Sequence, residues 1–394
     1  MKTLLFLFWI SLFIVFYTYL GYGILLYLMV KIKEKFSKPQ KFKLSQEEYP
    51  EVSLLIAAYN EEDIVDEKMA NTLAQDYPAD KLKIVWVTDG STDGTNRKLS
   101  VYDNVEILFE PRRGGKTAAL NRALSFIRTS LVIFTDANTM LNKEAVTEIV
   151  QSFSDPNVGC VAGEKRIASK NKDSASSGGE GIYWKYESTL KALDSRLHTA
   201  VGAAGELFAI RTELFEVMEE DTLLDDFILS MRIAQKGYKI EYCSNAYAME
   251  EGSYNMSEEK KRKVRIAAGG IQSVYRLRGL LNFFKYPMLS FQYISHRVLR
   301  WTMTPLFLFA LLPLNLLLVI LGGAAIYSVL FAFQLLFYLL AYFGKRMEDR
   351  KLRNKILFVP YYFLFMNINV IKGFLYLIKK KRGDGTWEKA KRVA

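Results

Sequence analysis

Apolar residues dominate Leu4 to Val30, with one lysine ahead of them and five in the segment Lys31 to Lys41. A helix crosses a bilayer with about 20 such residues, and the run exceeds the apolar core of a signal peptide. The pattern predicts a transmembrane helix over residues 1–30 with its C-terminal end in the cytoplasm, then a basic polar linker over 31–49. From 50 to 250 the pattern changes to short apolar runs that each stop at a polar or glycine-rich cluster. These are VSLLIAAYNEE (52–62), KIVWVTDGSTDGT (83–95), VEILFEP (105–111) and LVIFTDANTM (131–140). Such runs read as buried strands ending in loops. Helices are expected over 62–75, after the turn at 89–95, and over Thr117 to Ile127. Strands alternating with helices predict an α/β domain, a mostly parallel sheet flanked by helices.

GCVAGEKRI (159–167) reads as a further strand, Lys170 to Gly181 as a Ser/Gly-rich loop that orders over a substrate, and 182–197 as a helix. Basic residues interleave with apolar ones over 251–300, which predicts amphipathic interfacial helices. Residues 301–378 read as C-terminal membrane helices. Trp301 to Phe343 is long enough for two helices turning near Gly322-Gly323, and Ile356 to Ile378 is a third apolar stretch. Three crossings would put the basic tail 379–394 outside the cell, against the positive-inside tendency. A re-entrant or interfacial third stretch, with a cytoplasmic tail, is the expectation.

Composition narrows the function. The net charge of +11 over 394 residues gathers beside apolar stretches, as in 31–43 and 260–265, which suits an anionic membrane leaflet and not nucleic acid. Cys160 and Cys243 are the only cysteines, so no disulfide framework is expected. With only His198 and His296, zinc chemistry and a histidine-based triad are disfavoured. Arg112-Arg113-Gly114-Gly115-Lys116 is not the longer phosphate loop of nucleotide triphosphatases, and no GxGxxG follows the first strand.

Candidate chemistry lies where the strands end. Asp136 and Asn138 follow the fourth strand, at the edge where open α/β sheets bind ligands. Two oxygen-bearing side chains suit a hard cation that already carries phosphate oxygens, or simply a turn with Asx hydrogen bonds. Asp89 suits a base or ribose, or its own turn backbone. Gly114 and Gly115 permit close backbone approach, and Lys116 adds a cation for a diphosphate. Asp225 and Asp226 open a helix, where they suit either the helix dipole or a general base.

In their order, AAYNEE (57–62), TDGSTDGT (88–95), GGKTAALNRAL (114–124) and FTDAN (134–138) resemble family-2 glycosyltransferases. The flanking helices resemble the membrane-bound polysaccharide synthases of that family. The resemblance implies a GT-A nucleotide-sugar-binding domain with transmembrane and interfacial helices. Ala58, Tyr59 and Glu61 would cradle base and ribose, with Asp89 on the base and Lys116 on the phosphates. Asp136 matches the first acid of the DxD metal motif, with Asn138 in place of the second, for Mg²⁺ or Mn²⁺. Gly205 and Glu206, in a small-residue stretch flanked also by Arg211 that by itself would suit tight helix packing, would wall the acceptor. Asp226 would be the base, with Asp225 beside it. The family's QxxRW motif is altered here. Arg262-Lys263-Val264-Arg265-Ile266 keeps an arginine at Arg265 for the diphosphate, and Arg297-Val298-Leu299-Arg300-Trp301 is a second candidate.

The implied activity is inverting transfer from a nucleotide sugar, UDP-linked by expectation, to a polysaccharide or lipid-linked acceptor at a bacterial-type inner membrane. The catalytic domain would be cytoplasmic, with accessory export subunits as partners. A single-sugar transferase is the alternative, and a non-catalytic nucleotide-sugar-binding subunit the alternative of another class.

Overall fold

The computed structural model describes residues 1–37, 43–168, 175–251, 256–349 and 355–379. The chain begins with α1 (Lys2–Phe16) and α2 (Tyr22–Phe36), joined through one π-helical turn at Tyr17–Gly21 into a single 35-residue helix. The helix therefore runs six residues into the stretch read as a linker. Lys31, Lys33 and Lys35 are compatible with helix, and no proline interrupts before Pro39.

The central domain comprises β1 (Val52–Ala58), α3 (Val65–Leu73), β2 (Leu82–Asp89), α4 (Thr95–Leu99), β3 (Val105–Glu110), α5 (Lys116–Phe126) and β4 (Leu131–Asp136). It continues through β5 (Met140–Leu141), α6 (Ala145–Ser152), β6 (Val158–Ala168), α7 (Ala175–Leu197), β7 (Leu207–Arg211), α8 (Asp225–Gln235) and β8 (Lys239–Glu251). The strands form one sheet in the order β3-β2-β1-β4-β7-β6-β8-β5. The first four pair in parallel, as do β6 and β8, whereas β7 runs antiparallel to both β4 and β6, and β5 to β8. The sheet is thus mixed. Every residue of β1 is buried, as a central strand covered on both faces requires. Fully buried side chains such as Leu54, Ile56, Val132 and Ile133 each stabilise the fold by about 1.5–3 kcal/mol.

Register sets the working edge. Ala57 pairs with Asp136 and Ala58 with Thr88, so the ends of β1, β2 and β4 lie side by side. Because β7 is reversed and Thr135 pairs with Leu207, β7 starts where β4 ends. That reversal carries Glu206 to the same edge as Asp136.

Of the stretch read as a loop over 170–181, residues 175–181 are the first turns of α7. Residues 169–174 lie outside the described residues. Packing of α7 against α2, β8 and α14 outweighs the weak helix preference of its serines and glycines. After β8 come α9 (Met256–Arg276), α10 (Pro287–Tyr293), a π turn at Ile294–Val298, α11 (Leu299–Trp301), α12 (Met303–Ile320), α13 (Ala325–Asp349) and α14 (Lys355–Lys379). The turn between α12 and α13 falls at the expected glycines, with Gly322 at φ 71°. Among the described residues, four helices are long and apolar enough to cross a membrane: Lys2–Phe36, Met303–Ile320, Ala325–Glu348 and Ile356–Lys379. The basic tail lies outside the described residues.

A buried polar network ties membrane helices to the domain. Tyr22 of α2 donates to Asp194 of α7, and Asp194 Oδ2 lies 2.6 Å from His296 Nδ1. Glu187 of α7 pairs with Arg297 at 2.6 Å and Arg300 at 2.9 Å. Both arginines come from the second QxxRW-like candidate, whose Trp301 lies edge-on to Phe227 of α8 at 5.0 Å.

Candidate active site

Each strand end contributes a different chemistry. Past β1, Asn60 takes φ 53° and its side-chain oxygen accepts from Thr92 N at 2.8 Å, joining the first and second loops. Glu61 is buried, and its backbone N donates to Thr95 Oγ1 at 2.9 Å. The Arg113 guanidinium stacks over the Tyr59 ring at 3.8 Å. Asp89, buried at the end of β2, accepts from Gly114 N at 2.9 Å and Gly115 N at 2.8 Å. Its carboxylate thereby fixes the glycine turn that starts α5, rather than the backbone of its own turn.

Lys116, the first residue of α5, joins the remaining acids. Its Nζ lies 2.7 Å from Asp136 Oδ1 and 3.9 Å from Asp225 Oδ2. A Cβ added at Gly205 would lie 3.5 Å from both Lys116 Nζ and Asp226 Oδ2. Lys116, Asp136, Asp225, Asp226 and Gly205 therefore meet at one point. Burial alone would depress Lys116, but Asp136 and Asp225 outweigh it and hold its ammonium above the usual lysine range.

The acids respond oppositely. Burial, and then the neighbouring Asp225 carboxylate, push Asp226 up to about 7, Lys116 offsetting only part of this. Burial likewise raises Asp136 against the pull of Lys116. A carboxyl near 7 exchanges a proton readily at neutral pH. Asp226 also stands in the first turn of α8, where the helix dipole favours its anion.

On the far side lies a cluster that the sequence reading missed in part. Lys165 of β6, buried, pairs with both Glu206 and Glu250. Arg262 of α9 reaches Glu250 at 3.5 Å and Glu259 at 3.0 Å. Burial would raise Glu206, but Lys165 dominates and holds it at about 2, so it stays anionic. Asn138 Nδ2 donates to Glu250 Oε1 at 3.1 Å. With Nδ2 engaged by Glu250, Oδ1 is the oxygen that Asn138 could offer a cation. Beneath Asp136, Lys68 is fully buried and donates to Thr139 O at 2.6 Å and Thr135 Oγ1 at 3.1 Å, and burial lowers its amine to about 7.

Two expected positions fall elsewhere. Arg211 binds the backbone oxygens of Val158, Phe153 and Asp155, bracing the opposite end of β7. Arg265 is exposed on α9, and none of the ion pairs or hydrogen bonds among the described residues includes it. Lys165, Glu250 and Lys68 carried only the weak signal of charge inside apolar strand or helix patterns.

Among the described residues no group of three or more His, Cys, Asp or Glu side chains is arranged to hold a metal. Asp136 and the Asn138 amide oxygen fit a hard divalent cation only when phosphate oxygens complete its coordination.

A sheet edge of this kind, on a mixed sheet flanked by helices, defines the GT-A class of nucleotide-sugar folds. The solved mannosyltransferase PcManGT of Pyrobaculum calidifontis, in complex with GDP-Man and Mn²⁺, aligns with a TM-score of 0.72. That alignment covers 95% of this chain and 99% of that one at 21% identity. Residues 53–218 match the glycosyl transferase family 2 model, and the chain carries a glycosyltransferase domain of that family. Similar curated proteins include the poly-beta-1,6-N-acetyl-D-glucosamine synthase of Staphylococcus aureus, 27% identical over 254 residues. The beta-monoglucosyldiacylglycerol synthase of Nostoc is 28% identical over 254 residues. The alignments span 61% and 60% of this chain and only 60% and 53% of those relatives.

Proposed function

We propose that the protein transfers a sugar from a nucleoside-diphosphate sugar to a polysaccharide or lipid-linked acceptor at the membrane, with inversion at the anomeric carbon. The observation that carries this reading is the meeting of Lys116, Asp136, Asp225 and Asp226 at the edge where the strands end. Asp226 takes the proton of the acceptor hydroxyl as that oxygen attacks the anomeric carbon from the face opposite the diphosphate. One bond forms, the glycosidic oxygen of the leaving diphosphate departs with its electron pair, and an α-linked donor gives a β-linkage. Lys116 meets charge developing on the leaving group, where a fixed cation lowers the barrier most. Asp136 and Asn138 would hold Mg²⁺ or Mn²⁺, which when bound supplies further stabilisation of the diphosphate. Ala58, Tyr59, Glu61 and the Asp89-braced turn frame the nucleotide. Gly205, kept small, lets the sugar ring approach Asp226, and Glu206 faces the acceptor side with Arg262 behind it. Arg265 is kept as a candidate for the diphosphate. The basic residues that close the first helix support a cytoplasmic position for this domain.

A single-sugar transfer to a lipid acceptor has its own support. Residues 262–266 lack tryptophan, and Trp301 is packed on Gly270 and Phe227 with only 9% exposed, so it is no open platform for a growing chain. The test is purified protein in nanodiscs with Mg²⁺ or Mn²⁺ and a panel of UDP-, GDP- and TDP-sugars. Release of nucleoside diphosphate with a β-linked product supports the proposal, and product length separates polymer from single transfer. Nucleotide binding without release, with lipid and glycan acceptors present, would move the reading to a non-catalytic subunit.

A further inference from the structure

Away from the catalytic edge, α9, α13 and α14 line a half-open cavity of about 430 Å³. Three lysines from the three helices line it: Lys260 of α9, Lys345 of α13 and Lys372 of α14. Lys260 and Lys345 both lie within electrostatic reach of Lys372, and no carboxylate stands among the described lining residues. Like charges gathered around one space repel unless an anion is shared between them. Asn369 also borders the cavity, is 1% exposed, and has neither its Nδ2 nor its Oδ1 hydrogen-bonded. A buried amide left wholly unpaired is uncommon in native folds and calls for a partner.

The remaining walls are apolar and aromatic, including Tyr338 and Phe365, and two of the three helices are long and apolar enough to cross a membrane. The occupant must therefore join an anionic, hydrogen-bonding head to an apolar body. We infer that this cavity binds the phosphate group of an anionic lipid, with the three lysines on its oxygens and Asn369 on its ester or hydroxyl oxygens. Basic pockets between membrane helices take lipid head groups in this manner. A chain of polar contacts runs from beside the cavity to the end of β8. Glu259, next to Lys260, accepts from Tyr362 at 3.4 Å and pairs with Arg262, which reaches Glu250. The inference concerns binding alone and stands whether or not sugar transfer is established.

The test is native mass spectrometry of the full chain titrated with phosphatidylglycerol, a polyprenyl phosphate, phosphatidylcholine and inorganic phosphate. Retention of phosphatidylglycerol or of the polyprenyl phosphate over phosphatidylcholine is expected. Each of Lys260→Gln, Lys345→Gln and Lys372→Gln should weaken it about fivefold, and all three together on the order of a hundredfold. Tighter retention of phosphatidylglycerol would mark a membrane phospholipid as the source, and tighter retention of the polyprenyl phosphate a carrier lipid. All three lysines are exposed, so the variants should fold, and an unchanged melting temperature checks this. Undiminished lipid preference in the triple variant, or complete displacement of lipid by millimolar inorganic phosphate, would overturn the inference.

Discussion

At the scale of residues, proton affinities define what the site can do. Burial and Asp225 hold Asp226 near 7, so as the proposed base it would be ionised above that pH and protonated below it. Transfer should therefore fall about tenfold per pH unit below 7. Asp225→Asn removes the like charge and should move this acid limb to lower pH. Lys116→Gln removes the opposite charge and should move it higher. Pre-steady-state pH profiles check both, and shifts of the same sign would contradict the assignment. An unfolded aspartate titrates near 4. At pH 8 the fold holds Asp226 ionised at a cost, so Asp226→Asn should melt no lower than the wild type. Lys165 behaves differently, because it is buried between Glu206 and Glu250. Lys165→Met strands Glu206, leaves Glu250 to Arg262 alone, and should cost about 3–5 kcal/mol, read as a lower melting temperature that Glu250→Gln partly restores. Asp136 and Asp226 were legible because each follows a local boundary, a strand end or a helix start. Lys165 was not, since its partners lie 41 and 85 residues away in sequence.

At the scale of elements, four parallel strands were legible because each is an apolar run closed by a polar cluster. The reversal of β7 was not. Its apolar LFAIR is the same in either direction, and only pairing with β4 and β6 decides it. That reversal nevertheless brings Glu206 to Asp136. The small-residue stretch ahead of β7 has a similar tertiary reason. Gly202 sits at φ 86°, and a Cβ there would fall 2.2 Å from Phe227 Cδ2. Gly202→Ala should thus push α8, and Asp226 with it, away from Gly205. A loss of about 1–3 kcal/mol in stability and more than tenfold in transfer is expected, with nucleotide binding retained. Thermal unfolding and nucleotide titration check the two halves separately.

At the scale of the molecule, α14, expected as a re-entrant or interfacial stretch, is one continuous helix, and the long apolar helices were otherwise readable from composition and length alone. Their attachment to the domain was not, because it depends on Asp194, Glu187 and His296 meeting Tyr22, Arg297 and Arg300 across distant segments. This network places Trp301 against Phe227, one residue from Asp226. The membrane end and the catalytic edge thus share one packed core. The central claim is that Asp226 is the base of sugar transfer in this fold, and the most direct measurement is turnover by Asp226→Asn in nanodiscs with saturating donor and acceptor. The account predicts unchanged nucleotide binding with transfer lowered at least about a hundredfold. Turnover at the wild-type rate by a folded, nucleotide-binding variant would contradict it.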